Sequence, residues 1–359
     1  MATVTKSIGT NSRDYSTISA WEADLSNSAV YNSGDEAVGE CYNDSTFDEA
    51  FNIDDTGPAY GLSSITLKAN SSDKHDGTPD SGVKITYTGS FSTFSPIFQV
   101  SYTQSSYGSD LVKIEDLEFA DIAVSTDTDV VIFSLGIDSC IMSRCLVNNI
   151  HHNGAGNRSF YIFGIDSTNG AVVQNTMIFN CGKGATHSSQ NGRCQALYSS
   201  ANAEYNNLTI HNIFDNTVTA NSYGIFNGVI KNSIITNCGE NFKQQTGSSS
   251  DYNLSSDTTF FGGNSIAQIG TFRLYTSTTQ GSEDLHLKND SPALRAAQNL
   301  GTTNDVQKDI DGEDRDTSGS TAWDIGADQC ASCTTTAKKF DGHLRMNLDG
   351  DLGSFNVMG

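Results

Sequence analysis

Proline is scarce in this chain, and so are basic residues and long apolar runs. Only 4 of the 359 residues are proline, against 33 glycines. Lys and Arg number 20 against 42 Asp and Glu, which gives a formal net charge of −22. Because nucleic acids are bound mainly by cations that neutralise phosphates, we expect no nucleic-acid partner. Every apolar run is shorter than the roughly eighteen residues that span a bilayer, so we expect no membrane insertion.

Several targeting and catalytic signatures are also missing. Residues 1–21 contain no basic segment followed by an apolar run. We therefore expect no secretory signal and synthesis in a cytoplasm. The chain contains no Gly-rich phosphate loop, no nucleophile elbow and no His-Glu-x-x-His motif, so nucleotide-dependent and zincin chemistry are not indicated.

The chain does contain an internal repeat, at intervals of 25 to 32 residues. Each copy begins with an apolar residue, has a small polar residue two positions later, an apolar residue five later and Asn or Asp seven later. The copies begin at Ile114, Ile141, Val173, Tyr205 and Ile230. Intervals that vary in this way suit a solenoid of short β-strands whose turns differ in their loops. Asn in such columns forms tight bends, so we interpret it as structural first.

Short elements flank the repeat. Ile18, Trp21 and Leu25 share one face of a predicted helix with Thr17 or Ser19 as its N-cap, and we expect this helix to plug the end of the coil. Alternation predicts strands near residues 38–42, 51–53, 65–67, 83–87, 98–100 and 284–288. The Ser-Pro pair at 291–292 predicts a short helix through residue 298.

Eight cysteines are scattered along the chain. Cys181 and Cys238 share one phase of the repeat, so we expect them to be small apolar core residues. Cys330 and Cys333 lack the second pair that a structural zinc site needs. We predict a disulfide or two free thiols there.

The repeat resembles the turns of right-handed parallel β-helix proteins of the pectate-lyase-like superfamily, most clearly at residues 173–181 and 230–238. Residues 289–293, 309–315 and 324–329 resemble the closing segment of many surface and phage β-helix proteins. The resemblance covers roughly residues 15–329. Gln329 stands where Glu is common, and residues 294–297 depart from the usual Ile-Asp-Ala-Gly. Members include lyases, hydrolases, adhesins and virion proteins, so the resemblance implies architecture rather than activity.

We therefore predict an all-β fold, a single-stranded right-handed parallel β-helix. Residues 1–30 form an N-terminal cap with a short helix, residues 31–329 form the coil, and residues 330–359 form a terminal arm or small β extension. Whether the protein is a monomer or a homotrimer stays open, since no coiled-coil heptads are present.

One cluster of basic residues stands out in this acidic chain. It falls on successive turns and predicts a groove for an acidic sugar, a phosphate or an acidic patch on a partner. The alternative is that exposed polar loops happen to contain His and Arg. The candidate ligand-binding residues are His151, His152, Arg158, His187, Arg193 and His211.

Two carboxylates form a catalytic candidate. In pectate-lyase-like enzymes, Asp residues on adjacent turns bind Ca²⁺ or act as acid and base beside Arg or Lys. Asp138 and Asp166 follow similar Gly-Ile strands and Arg144 is close in sequence. The alternative, which we favour, is that each Asp forms the bend after its strand.

A third candidate concerns metal. Asp309, Asp311 and Glu313 offer oxygen ligands for Ca²⁺ around a glycine, but the spacing does not complete an EF-hand loop. A surface turn is the favoured interpretation. We expect no cofactor, with Ca²⁺ as the alternative left open.

For function, the leading hypothesis is a bacteriophage virion protein that decorates the capsid or forms part of the tail. It would be made in the host cytoplasm and act by rigid display. Residues 331–359 would contact neighbouring virion proteins, and a host surface polysaccharide is a further candidate partner. The alternative is an extracellular or cell-surface protein that cleaves or binds glycans, as a polysaccharide lyase, glycoside hydrolase or adhesin. A non-enzymatic role is favoured.

Overall fold

The computed structural model describes residues 2–54, 61–90, 96–101, 111–126, 128–135, 140–154, 159–165, 171–184, 193–199, 203–216, 221–243, 249–319, 322–330 and 332–333. Their strands form three parallel sheets, named here A, B and C, and a separate two-stranded antiparallel sheet. From β2 to β22, successive strands visit sheets A, B and C in turn. The chain therefore winds as a parallel β-solenoid, as the sequence predicts. That the winding is right-handed stays a prediction.

The strands of sheet A, in order of pairing, are β1 (Thr3–Ile8), β2 (Glu36–Cys41), β5 (Ser64–Ala69), β8 (Leu111–Glu115), β11 (Cys140–Ser143), β14 (Val172–Gln174), β17 (Glu204–Asn206) and β20 (Val229–Lys231). Those of sheet B are β3 (Phe47–Asp48), β6 (Lys84–Thr86), β9 (Glu118–Val124), β12 (Leu146–His152), β15 (Met177–Lys183), β18 (Thr209–Asp215), β21 (Ile234–Thr236) and β23 (Leu254–Ser255). Those of sheet C are β4 (Phe51–Asp54), β7 (Phe98–Ser101), β10 (Val130–Leu135), β13 (Phe160–Ile165), β16 (Cys194–Ser199), β19 (Ser222–Phe226) and β22 (Glu240–Phe242).

The interior of the coil is a column of stacked apolar side chains. Neighbouring phenylalanine rings pack 4.6–5.1 Å apart along part of it; these are Phe51, Phe98, Phe119, Phe133 and Phe163. Cys181 is a buried free thiol, as predicted, and Cys238 is a free thiol that is only partly buried. Burial of this apolar surface is the main stabilising contribution to the coil.

The predicted helix is present as α1 (Ile18–Ala23), with Thr17 as its N-cap and Ile18 and Trp21 buried. The Trp21 ring packs so closely on β2 that a Cβ at Gly39 would lie 2.7 Å from it. Residue 39 must therefore be glycine. That the helix closes the end of the coil stays a prediction. No helix in the described residues is long and apolar enough to span a membrane.

The bends of the repeat are columns of residues in the left-handed conformation. The column between sheets A and B contains Asp116, Arg144, Asn175, Asn207 and Asn232, all with φ between 49° and 61°. Their side chains form a ladder: Asn232 Nδ2 donates to Asn207 Oδ1 at 3.1 Å, and Asn207 Nδ2 donates to Asn175 Oδ1 at 2.9 Å. Asn tolerates this backbone well, which explains its recurrence.

The structure corrects the predicted register of one turn. Met142, and not Ile141, pairs with Ile114 and Val173. The bend residue of that turn is therefore Arg144 rather than Ser143. The sequence pattern favoured Ser143 as the bend residue because a small polar residue usually occupies this position.

The chain beyond Ser255 leaves the coil and packs against it. It contains the hairpin β24 (Tyr275–Thr279) and β25 (Ser282–Leu287) and two 3₁₀ turns, Thr271–Arg273 and Thr303–Asp305. The helix predicted at residues 291–298 is wrong. Arg295 has a φ of 55° and its N–H donates to Asp324 Oδ1, and Ala297 forms a β-bridge with Trp323, so contacts with residues 323–324 replace helical hydrogen bonds.

Residues 298–312, named here the strap, run back along the bend between sheets A and B. Asn232 donates to the carbonyl oxygen of Gln298, Asn207 to that of Val306, and Lys74 to that of Asp311. The order of these contacts shows that the strap runs opposite to the progress of the coil. The amides of the Asn ladder thus bind the coil to its own C-terminal segment.

The closing motif, residues 324–329, is held by one buried arginine. Arg315 donates to the carbonyl oxygens of Asp324, Gly326 and Ala327 and to Gln329 Oε1. Gln329 also accepts from Asp324 N, so its amide oxygen serves where Glu is common in similar segments. The closing motif therefore has a structural role, which is to hold the end of the strap in place.

Candidate binding cleft

A cleft lies between the outer face of sheet A and the strap. Its larger cavity, of about 280 Å³, is lined by residues from four separate segments of the chain. These are Lys68, Ala69, Ser71, Lys74, Asp116, Arg144, Asp305, Lys308 and Gly312. Four of the chain's 20 basic residues therefore meet in one cavity, although the chain as a whole is strongly acidic.

Arg144 is the buried cation of the cleft. Its Nε and Nη2 donate to the two oxygens of Asp116 at 2.7 and 3.1 Å, and Nη2 lies 3.2 Å from Glu115 Oε2. Burial opposes its charge, but the two carboxylates outweigh burial and raise the pKa of the guanidinium. Burial raises the pKa of Glu115, against the effect of Arg144. The Arg144 guanidinium is therefore fixed in place and stays charged.

The lysines of the cleft are less firmly paired. Lys68 Nζ lies 3.5 Å from Glu40, and 36% of its side chain is exposed. Lys308 Nζ lies 2.8 Å from Asp314, a carboxylate that is 68% exposed. Exposed pairs of this kind contribute about 0–1 kcal/mol. Both lysines can therefore turn to an incoming anion at little cost.

A second cavity of about 130 Å³ extends the cleft along the strap. It is lined by Gln174, Glu204, Asn206, Lys231, Leu300, Thr303, Asn304 and Val306. Paired positions on successive strands of sheet A form one column on the outer face of the sheet. The column runs from the first cavity to the second. The column reads Lys68, Glu115, Ser143, Gln174, Asn206 and Lys231. With neighbouring strands about 4.8 Å apart, it spans about 24 Å.

Of the predicted catalytic residues, only Arg144 can be placed, and it lies in the cleft. Asp138 and Asp166 lie outside the described residues, as do Arg158 and His187 of the predicted basic groove. The proposed pairing of the two aspartates stays a prediction.

The four placed residues of the predicted basic groove have different surroundings. His151 is half-buried, with Nε2 3.2 Å from the carbonyl oxygen of Asn180. His152, the next residue, is fully buried. His211 is buried beneath the hairpin, where burial lowers its pKa to about 4. Arg193 is exposed, with its guanidinium 4.8 Å from the centre of the Phe226 ring.

An aromatic strip lies beside Arg193 on sheet C. The ring centres of Tyr161 and Tyr198 are 5.1 Å apart, and those of Tyr198 and Phe226 are 5.9 Å apart. All three rings are partly exposed. Rings with one open face are a second surface on which a sugar could stack.

The predicted Ca²⁺ ligands do not share one centre. Asp309 is fully buried and accepts backbone N–H groups of Asp311, Glu313 and Gln329. Glu313 is exposed. Asp311 instead lies next to His286, with His286 Nε2 3.3 Å from its Oδ2.

Sequence reasoning missed the lysines of the cleft. Lys68 occupies an ordinary outward position of a strand, and Lys308 lies in the strap. Aligning the turns of the repeat could have shown that Lys68 and Lys231 occupy equivalent positions. No local sequence pattern indicates that the strap returns to them.

Comparisons with known proteins give little information about function. No protein-family profile and no curated protein matches the chain. The chain is similar to two solved structures of pectin methylesterase. One is the Aspergillus niger enzyme in penultimately deglycosylated form, at 15% identity and a TM-score of 0.31, covering 74% of this chain and 84% of that one. The other is the deglycosylated form of that enzyme, at 15% identity and a TM-score of 0.26, covering 70% and 89%. No activity follows from likeness at this level.

Proposed function

We propose that this protein binds an acidic polysaccharide, a chain of uronic acids, in the cleft between sheet A and the strap. The observation that carries the proposal is the meeting of Lys68, Lys74, Arg144 and Lys308 in one cavity of an otherwise acidic molecule. The surrounding negative surface repels anions elsewhere, so the cleft is the favoured place for a carboxylate.

The shape of the cleft suits a linear polymer. The column of sheet A has polar side chains at intervals of about 4.8 Å between lysines at its two ends; Ser143 and Gln174 in it are at most 2% exposed. Side-chain amides both donate and accept, which matches the hydroxyls of a sugar chain. The lysines would meet carboxylates, and Asn206 would meet a hydroxyl.

Binding, rather than cleavage, is the core of the proposal. The Asp116 carboxylate is occupied by two hydrogen bonds from Arg144, which leaves it poorly placed to accept a proton from a substrate. A lyase or hydrolase remains the alternative. It would release unsaturated uronates or new reducing ends from the bound polymer, and Asp138→Asn or Asp166→Asn would abolish that release.

The test is binding of defined polymers, measured by affinity electrophoresis and calorimetry. We expect polygalacturonate and alginate to bind and uncharged dextran not to bind. The variant Lys68→Gln/Lys308→Gln should bind the polyuronates at least about tenfold more weakly, and added salt should weaken binding to the wild type.

The matched control is Lys6→Gln/Lys288→Gln, which makes the same change in net charge away from the cleft. It should bind like the wild type. Equal binding by the wild type and the cleft variant, or binding of dextran as strong as that of polygalacturonate, would rule the proposal out.

The virion role stays a prediction from the sequence. The contacts it predicts use residues 331–359, nearly all of which lie outside the described residues. A surface glycan of a host would be compatible with both the virion role and the cleft.

A further inference from the structure

The segments that follow the coil bring an imidazole and several carboxylates together outside the cleft. His286 lies on β25, Asp311 at the end of the strap and Asp328 in the closing motif. One donor atom of each lies within 4.8 Å of the other two. His286 Nε2 and Asp311 Oδ2 are 3.3 Å apart. Two donors held about 2.0–2.1 Å from a tetrahedral zinc ion have about this separation.

The imidazole is already oriented for a metal. Asp284 Oδ1 lies 2.6 Å from Nδ1 of His286, on the side of the ring away from Asp311. In a metal complex, a carboxylate at Nδ1 would hold the ring proton there and Nε2 would donate its lone pair to the ion. Metal-binding histidines commonly have such an outer carboxylate, which fixes both tautomer and ring orientation.

Asp328 supplies a second, independent indication. Its side chain is only 4% exposed. Its Oδ2 accepts from the backbone N–H of Leu287 at 2.7 Å, and within the described part of the chain no hydrogen bond reaches Oδ1. A carboxylate that is 4% exposed is costly unless a cation meets it.

Glycine at position 77 keeps the space beside these donors open. A Cβ at Gly77 would lie 2.4 Å from His286 Nε2 and 2.9 Å from Asp311 Oδ1. The left-handed φ of 81° also favours glycine there.

We propose that His286, Asp311 and Asp328 bind a divalent transition-metal ion, for which zinc is the best match. An imidazole donor argues against Ca²⁺ and Mg²⁺, which take oxygen ligands. The three carboxylates of Asp284, Asp311 and Asp328 outnumber two neighbouring cations: Lys74, which donates to the carbonyl oxygen of Asp311, and Arg315, whose charge acts on Asp328. The ion would join the hairpin, the end of the strap and the closing motif.

The experiment is a titration of the chelator-treated full-length protein with Zn²⁺ alone, followed by calorimetry and thermal unfolding. We expect one equivalent to bind per chain and to raise the Tm. His286→Gln should abolish binding. Asp284→Asn, which leaves all three ligands in place, should weaken it about 10–100-fold.

The control is His151→Gln, which removes another half-buried imidazole and should bind zinc like the wild type. If His286→Gln does not fold, Asp328→Asn takes its place. Failure of the wild type to bind zinc, binding that survives both ligand substitutions, or a response to Ca²⁺ but not to Zn²⁺ would each overturn the inference. No glycan enters this test, so its outcome is separate from that of the proposed function.

Discussion

Three polar side chains lie inside the coil at matching positions of successive turns. His152 pairs in register with Lys183, and Lys183 with Asp215, and all three are at most 3% exposed. The preceding turn has Val124 at this position. Lys183 Nζ and Asp215 Oδ2 are 3.5 Å apart. Because charges lose their hydration on burial, each of these two ions depends on the other.

Removing one partner of this pair should destabilise the coil strongly. We expect Asp215→Ala to lower the free energy of unfolding by about 3–5 kcal/mol, since it leaves the Lys183 ammonium buried without its carboxylate. Replacing both, as Lys183→Met/Asp215→Leu, should recover most of that loss. Urea denaturation of the wild type, Asp215→Ala and the double variant measures the free energy of unfolding of each. A double variant as unstable as Asp215→Ala would contradict the argument.

Arg144 shows why single residues of the site were only partly predictable. Its type and position suggested chemistry, but its role depends on Asp116, 28 residues earlier, and on a left-handed backbone that arginine rarely adopts. Sequence pattern assigned the bend to Ser143 because small polar residues favour bends. Only the pairing of neighbouring strands shows which residue occupies it.

The main relationship between elements is the one between the Asn ladder and the strap. Asn207 bonds Asn175 on one side, Asn232 on the other and the strap carbonyl of Val306 at 3.0 Å. The ladder was predictable from its spacing. The strap was not, because its partners lie up to 237 residues away in the chain and no periodic pattern connects them.

Asn207 should prove to hold the strap as well as the bend. We expect Asn207→Ala to cost about 2–3 kcal/mol, and Asn207→Gly about 1 kcal/mol less, since glycine accepts the left-handed backbone but makes none of the hydrogen bonds. Both variants should speed proteolytic cleavage within residues 298–312.

The comparison variant is Asn212→Ala. Asn212 is also left-handed, but it belongs to another ladder, in which it donates to Asn180 and accepts from Asn237, and within the described residues it makes no side-chain bond to the strap. It should destabilise the coil without speeding cleavage of the strap. Equal cleavage rates in Asn207→Ala and Asn212→Ala would show that the ladder does not hold the strap.

At the scale of the whole molecule, the parallel coil followed from a repeat that can be read along the chain. The cleft did not, because its two walls come from Lys68 and Lys308, which only the return of the strap brings together. Function was hardest to predict for the same reason: it depends on where charges meet in space, and the net charge of −22 gives no sign that four basic residues line one cavity.

The most direct test of the cleft is a hydrogen-exchange footprint of the full-length protein with and without an oligogalacturonate. We predict slower exchange in residues 64–74, 143–145 and 300–312, which form the two walls, and unchanged exchange in residues 193–199 and 222–226 of sheet C. Protection confined to sheet C would place the sugar on the aromatic strip instead. That result, or no protection at either surface, would contradict the account.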